Sequence, residues 1–138
     1  MPAKDIYHDT VKRALIKDGW TITKENMSFP WGGTQTYVDI LAEEVFVAEK
    51  EGRKIAVEVK SFIGKSNLSE LEKALGQFII YRFAMRKKEP DRQLFLAVEK
   101  EIYNEFFLNA DVLELVESED LRILIFDKVK EVIVRWIN

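Results

Sequence analysis

The stretch Ile55 to Ser61 reads I-A-V-E-V-K-S, a strand-forming run with a carboxylate and an amine set inside it. Side chains of a strand alternate between two faces, so Ile55, Val57 and Val59 share one side. Ala56, Glu58 and Lys60 share the other, which puts Glu58 and Lys60 one pleat apart. Burying either charge alone costs several kcal/mol, so the pair needs a physical reason. One reason is a plain ion pair. The other is chemical: a metal-ligating carboxylate beside a lysine that orients or polarises a water.

Composition narrows that chemistry. The chain has no cysteine and a single histidine, His8, so any metal must be held by oxygen ligands, which favours Mg²⁺ or Mn²⁺. The absence of cysteine also suits a reducing cytoplasm. No apolar run approaches a transmembrane length and the N-terminus has no signal-peptide layout, so no membrane is expected. With 138 residues, 47% hydrophobic and 33% charged, residues 1–138 read as one domain with its own core. Net charge is −3, so nucleic acid would be bound through local patches or metal-bridged phosphates.

Periodicity predicts a helix over Ala3 to Asp18, a strand over Trp20 to Lys24 and a loop over Asn26 to Thr34. Strands follow at Thr36 to Leu41, Val45 to Glu49 and Arg53 to Phe62, the last two joined by a Glu51-Gly52 turn. Asn67 or Ser69 caps a long helix to Lys87, with Leu68, Leu71, Leu75, Phe78, Ile79 and Ala84 on its apolar side. Gln93 to Glu99 is a strand apolar on both faces. A helical stretch from Ile102 to Val116, broken near Asn109, precedes strands at Leu121 to Phe126 and Val132 to Ile137. A hairpin followed by a helical crossover gives an α/β fold, a mixed sheet flanked by helices with the Glu58 strand central.

Further residues join Glu58 and Lys60. Asp39 interrupts an apolar strand, Gln77 and Tyr81 share one face of the long helix, and Asp9 (or His8) lies on the first helix. The set Val38-Asp39-Ile40, Glu58-Val59-Lys60 and Gln77-F-I-I-Tyr81 resembles the PD-(D/E)xK nuclease superfamily, which implies a restriction-endonuclease-like fold. Its first acid is preceded by Val38 where proline is usual. Over the whole chain, the opening M-P-A-K-D-I-Y-H-D-T, the W-G-G-T of residues 31–34, the run of residues 49–66 and the closing E-V-I-V-R-W-I resemble XisH. XisH is a family of cyanobacterial controlling factors for excision of the fdxN DNA element during heterocyst differentiation.

The resemblance implies a metal-dependent endonuclease-type protein acting on DNA. Asp39, Glu58 and the carbonyl of Val59 would ligate Mg²⁺ or Mn²⁺, Lys60 would act on the attacking water, and Gln77 would fix lysine or water from the helix. A two-residue turn pairs Val45 with Glu58 and leaves Asp39 six residues, about 20 Å, further along, so the chain around Ala42-Glu43-Glu44 must bulge or fold back, or the hairpin must use another register. Glu44 and Glu49 are stand-in acids. The implied partners are DNA, an XisI-like protein and a site-specific recombinase, with a homo-oligomer expected. A non-catalytic accessory protein of the same fold is the alternative.

Overall fold

The computed structural model describes residues 6–31, 38–42, 45–64 and 66–138. Its centre is a six-stranded mixed sheet in the order β1-β4-β5-β6-β7-β8. The strands are β1 (Thr21–Lys24), β4 (Val45–Lys50), β5 (Arg53–Val59), β6 (Gln93–Glu99), β7 (Ile123–Asp127) and β8 (Val132–Ile137). β5, β6 and β7 run parallel, while β1 pairs antiparallel with β4, β4 with β5, and β7 with β8. Among the described residues four helices flank it: α1 (His8–Lys17), α2 (Asn67–Lys88), the short α3 (Lys100–Ile102) and α4 (Ala110–Ser118). A π-helical turn, Tyr103–Phe107, links the last two.

The hairpin between β4 and β5 turns at Glu51 and Gly52, both with positive φ (49° and 80°), the geometry that suits the twist of paired strands. The β4–β5 register then places Val45 opposite Glu58, as the two-residue turn predicts. Gln93 to Glu99 and Val132 to Ile137 form strands with the expected ends.

Each sheet face carries its own core. One joins Val11 and Leu15 of α1 to Phe46, Ile55, Val57, Val59, Phe95 and Phe126. The other joins Leu71, Ala74 and Phe78 of α2 to Val45, Ala56, Leu94, Leu96 and Ile123. β5 lies between β4 and β6, in the interior of the sheet, with α2 packed across its Ala56 face.

Several local readings change. The loop expected from Asn26 to Thr34 contains a strand, β2 (Met27–Trp31), paired with β3 (Val38–Ala42) in a separate two-stranded ribbon. Buried Met27 anchors that ribbon in the α2-side core, and a two-stranded ribbon tolerates Pro30 because each strand keeps a free edge. The N-cap of α2 is Ser66, whose hydroxyl accepts from the Ser69 amide at 3.2 Å. Leu68 and Ile79 of α2 are exposed, and Met85 is buried instead. In β8 a register shift between Ile125 and Phe126 makes Val134 an extra residue, so Ile133 and Trp136 pack on the same core.

Candidate functional site

β5 is apolar enough to be drawn into the middle of the sheet, and it carries Glu58 there with it. Glu58 is flanked by Val45 on β4 and Leu96 on β6, and the residue is 1% exposed. Val59 pairs with Ala97, and the Lys60 amide donates to the Ala97 carbonyl at 3.2 Å, extending the ladder one residue past the strand. Lys60 is half-buried and Ser61 buried. A carboxylate and an amine therefore leave the sheet together on the α2 side, at the C-terminal end of two parallel strands.

The chain turns sharply just beyond. Phe62 has φ 56°, a conformation that costs a bulky residue about 1–3 kcal/mol and survives only where its surroundings impose it. Those surroundings are aromatic: Phe62 lies edge-on to Phe107 at 5.5 Å and 6.4 Å from Phe106. Both partners belong to the π-helical turn, where Tyr103 and Phe107 stack at 5.8 Å. A Cβ on Gly64 would lie 1.8 Å from a Glu70 carboxylate oxygen, so the first turn of α2 closes tightly on this loop. Strain and a π turn at one place are common companions of functional sites.

The structure distributes the other predicted residues unevenly. Asp39 is on β3, opposite Pro30, and its side chain lies outside the described residues. β3 ends at Ala42 and β4 begins at Val45, so the strand bearing Asp39 leads within three residues to the partner of Glu58. Glu44 also lies outside the described residues. Glu49 pairs with Lys54 and Thr21 near the hairpin, four residues and about 13 Å from Val45, which removes it as a stand-in acid.

Gln77 is exposed on α2, and Tyr81 is half-buried against the α2-side core. On α1, Asp9 is exposed, whereas His8 is buried with its ring 4.2 Å from that of Phe46. His8 Nε2 lies 3.6 Å from Glu25, whose carboxyl is held below its usual range chiefly by a hydrogen bond from Lys12. Because α1 packs on the Val57 face, His8 and Asp9 approach the sheet from the side opposite Glu58.

Among the described residues no three acids or histidines converge as a metal cradle. Glu58 and the Val59 carbonyl are hard oxygen donors of the kind Mg²⁺ and Mn²⁺ accept. A metal held there would need a further acid beside these two donors.

Sequence reasoning passed over the capping role of Ser66, the π turn and three buried charges, Arg92, Glu99 and Asp127. Glu99 accepts from the Glu101 amide at 2.8 Å and so caps α3, a role signalled by an acid at the end of an apolar run. Arg92 donates to the carbonyls of Ala48 (3.3 Å) and Ile55 (2.9 Å), tying β4 to β5, and nothing in its sequence neighbourhood signals that.

These features define a mixed α/β protein with a buried glutamate and a neighbouring lysine at the C-terminal end of an interior strand. The model of the family described as XisH protein matches residues 1–134, and the chain belongs to the XisH family. A crystal structure of an XisH family protein from Nostoc punctiforme PCC 73102 is 44% identical, with TM-score 0.89 over 97% of this chain and 100% of that one. An fdxN element excision controlling factor protein from Anabaena variabilis is 45% identical, with TM-score 0.87 over 96% of this chain and 98% of that one. No curated protein matches the chain. Among the described residues no helix is long and apolar enough to cross a membrane.

Proposed function

We propose that this chain is a metal-dependent, endonuclease-type protein of restriction-endonuclease-like fold that serves the excision of a DNA element. The observation that carries the reading is Glu58, a carboxylate 1% exposed in the interior strand of the sheet, one pleat from half-buried Lys60. The relative from Anabaena variabilis supplies the biological setting, since it is an fdxN element excision controlling factor protein.

Asp39, Glu58 and the Val59 carbonyl would hold Mg²⁺ or Mn²⁺, which when bound neutralises a phosphate oxygen and acidifies a water. Lys60 orients the attacking water and stabilises charge that grows on the phosphate. Gln77 completes the proposed set, acting on the lysine or water from α2, whereas Asp9, carried by α1 on the face opposite Glu58, takes no part in it. DNA is the substrate, an XisI-like protein and a recombinase are the partners, and the cytoplasm is the compartment. Self-association would use the exposed edge strand β8, where Val132 and Val134 are 36% and 52% exposed.

Lys60→Ala tests this reading. Loss of a single transition-state contact lowers metal-dependent cleavage by about 10²–10³-fold. Lysine is no metal ligand, so the melt of the variant stays near normal and still rises with Mg²⁺. If Lys60 serves only to neutralise Glu58, the same change removes about 3–5 kcal/mol of stability and Mg²⁺ does not restore it. That second pattern overturns the proposal. An unaltered melt with no Mg²⁺ response in the parent protein favours a non-catalytic accessory role.

A further inference from the structure

The end of the sheet away from Glu58 carries a different kind of charge. The last turns of α2, the Pro90–Gln93 connection and the entry to β7 enclose a cleft of about 200 Å³. Its lining includes Arg82, Arg86, Arg92 and Arg122, with Gln93 and Asp91. Gln93 pairs with Ile55 while Leu96 pairs with Glu58, so the cleft opens three residues, about 10 Å, down the strand from the carboxylate.

The arginines are differently held. Arg82 is fixed: Nη1 donates to the carbonyls of Glu119 (2.8 Å) and Asp120 (3.1 Å), and the guanidinium lies 5.4 Å from the centre of the Phe78 ring. Arg92 is buried, ties β4 to β5 and pairs with Glu89 at 3.2 Å. Its Nε is nevertheless buried with no hydrogen-bond partner among the described residues. Arg86 is exposed and Arg122 half-buried, and neither has an ion pair among the described residues. Burial lowers the pKa of Arg82, and the nearby Arg86 and Arg122 lower it further. Asp120 and Glu119 act on Arg82 in the opposite sense, and Asp91 is the acid in the lining.

A protein of net charge −3 thus gathers several guanidinium groups at one concavity, where they repel one another. Guanidinium forks match the oxygens of phosphate, and a bound anion would relieve that repulsion. We infer that this cleft is a phosphate-binding site, with Arg82 as the fixed donor and Arg86 and Arg122 as the cations that close on the anion. The site is independent of the chemistry proposed at Glu58. Its phosphate can come from free inorganic phosphate or from a DNA backbone, which share the same oxygens.

The experiment follows arginine side-chain N–H resonances of the full chain while inorganic phosphate, and separately a short DNA duplex, is added. Phosphate is expected to move the Arg82, Arg86 and Arg122 signals and to raise the melting temperature. In Arg86→Gln/Arg122→Gln both responses disappear while the melt without phosphate is retained. Arg86→Gln alone, at an exposed position, guards against a folding defect and weakens the response partially. If the source is DNA, the double variant also flattens the dependence of log K on log salt by about 0.9 per lost phosphate contact. Equal duplex binding by both proteins, with the phosphate response lost, assigns the cleft to free phosphate. No response to phosphate in the parent protein, together with equal salt slopes, overturns the site.

Discussion

The two faces of β5 are alike in burial and opposite in content. Toward α1 it presents Ile55, Val57 and Val59, all 0% exposed, in an apolar core with Leu15, Phe95 and Phe126 whose margin holds the buried His8. Toward α2 it presents Ala56, 0% exposed, then Glu58, 1% exposed, then half-buried Lys60. Because adjacent residues point to opposite faces, one strand can be a stability element on one side and a chemical element on the other. The apolar face holds the strand in place, and the charged face is positioned as a consequence. This division makes a sharp demand: damage to the α1 face should lower stability without altering the α2-face chemistry, and damage to the α2 face should do the reverse.

The largest effect is expected on the α1 face. Phe95 is fully buried and meets Trp136 edge-on at 4.9 Å. Phe95→Ala removes a ring and leaves a cavity, costing about 3–5 kcal/mol, a large share of a typical domain stability of about 5–15. Urea unfolding followed by tryptophan fluorescence would show a lower midpoint with an unchanged slope. Under the proposed function, the gain in stability expected from added Mg²⁺ should remain. If that increment falls together with the midpoint, the two faces are not separable.

The converse test is Glu58→Gln, which keeps shape and removes charge. Binding of a ligand at about a hundredfold over its Kd stabilises a protein by about 2.7 kcal/mol. That Mg²⁺-dependent gain should be present in the parent protein and absent in the variant, with little change in the metal-free melt. A variant that keeps the gain would place the metal away from Glu58 and return β5 to a purely structural strand.

How far the sequence carried these conclusions depended on the range of the forces involved. The alternation of Ile55 to Lys60 was sufficient to sort its side chains to two faces, because a strand's period is local. The Glu51-Gly52 turn likewise set the Val45–Glu58 register, since turn geometry fixes pairing. A break in the helical stretch was legible near Asn109, which proves to cap α4, its side chain accepting from the Asp111 amide at 2.9 Å. Met27 to Trp31 was read as loop because proline and neighbouring glycines mask a strand whose support, the pairing with β3 and the packing of Met27 in the α2-side core, is not local. The bulge at Val134 and the π turn at Tyr103 answer packing across the sheet, which no local period contains. The same holds for the site. Glu58 and Lys60 were visible as charges in an apolar run, whereas Arg92 and the strained Phe62 owe their roles to distant contacts.

The smallest expected effect sharpens the comparison by asking what an ordinary structural carboxylate does at the C-terminal end of another strand on the same face. Asp127 ends β7, is 4% exposed and shares the Ile123 and Ile125 face toward α2. Its partners explain it: Lys100 Nζ at 2.8 Å, and the amides of Val129 (2.8 Å) and Lys130 (3.0 Å). The lysine hydrogen bond, then the backbone amides, lower its pKa from 3.8 to about 2. A depressed carboxylate stabilises the fold above its unfolded pKa, and the contribution is lost as pH falls through the folded value. Acid unfolding should therefore steepen between about pH 4 and pH 2, and Asp127→Asn should flatten that part of the profile. Lys100→Met should raise the Asp127 carboxyl pKa, read directly from its ¹³C resonance, without changing any response to Mg²⁺. A changed Mg²⁺ response in Lys100→Met would mean that Asp127 and Glu58 belong to one electrostatic site, and the distinction between structural and chemical carboxylates on this face would fail.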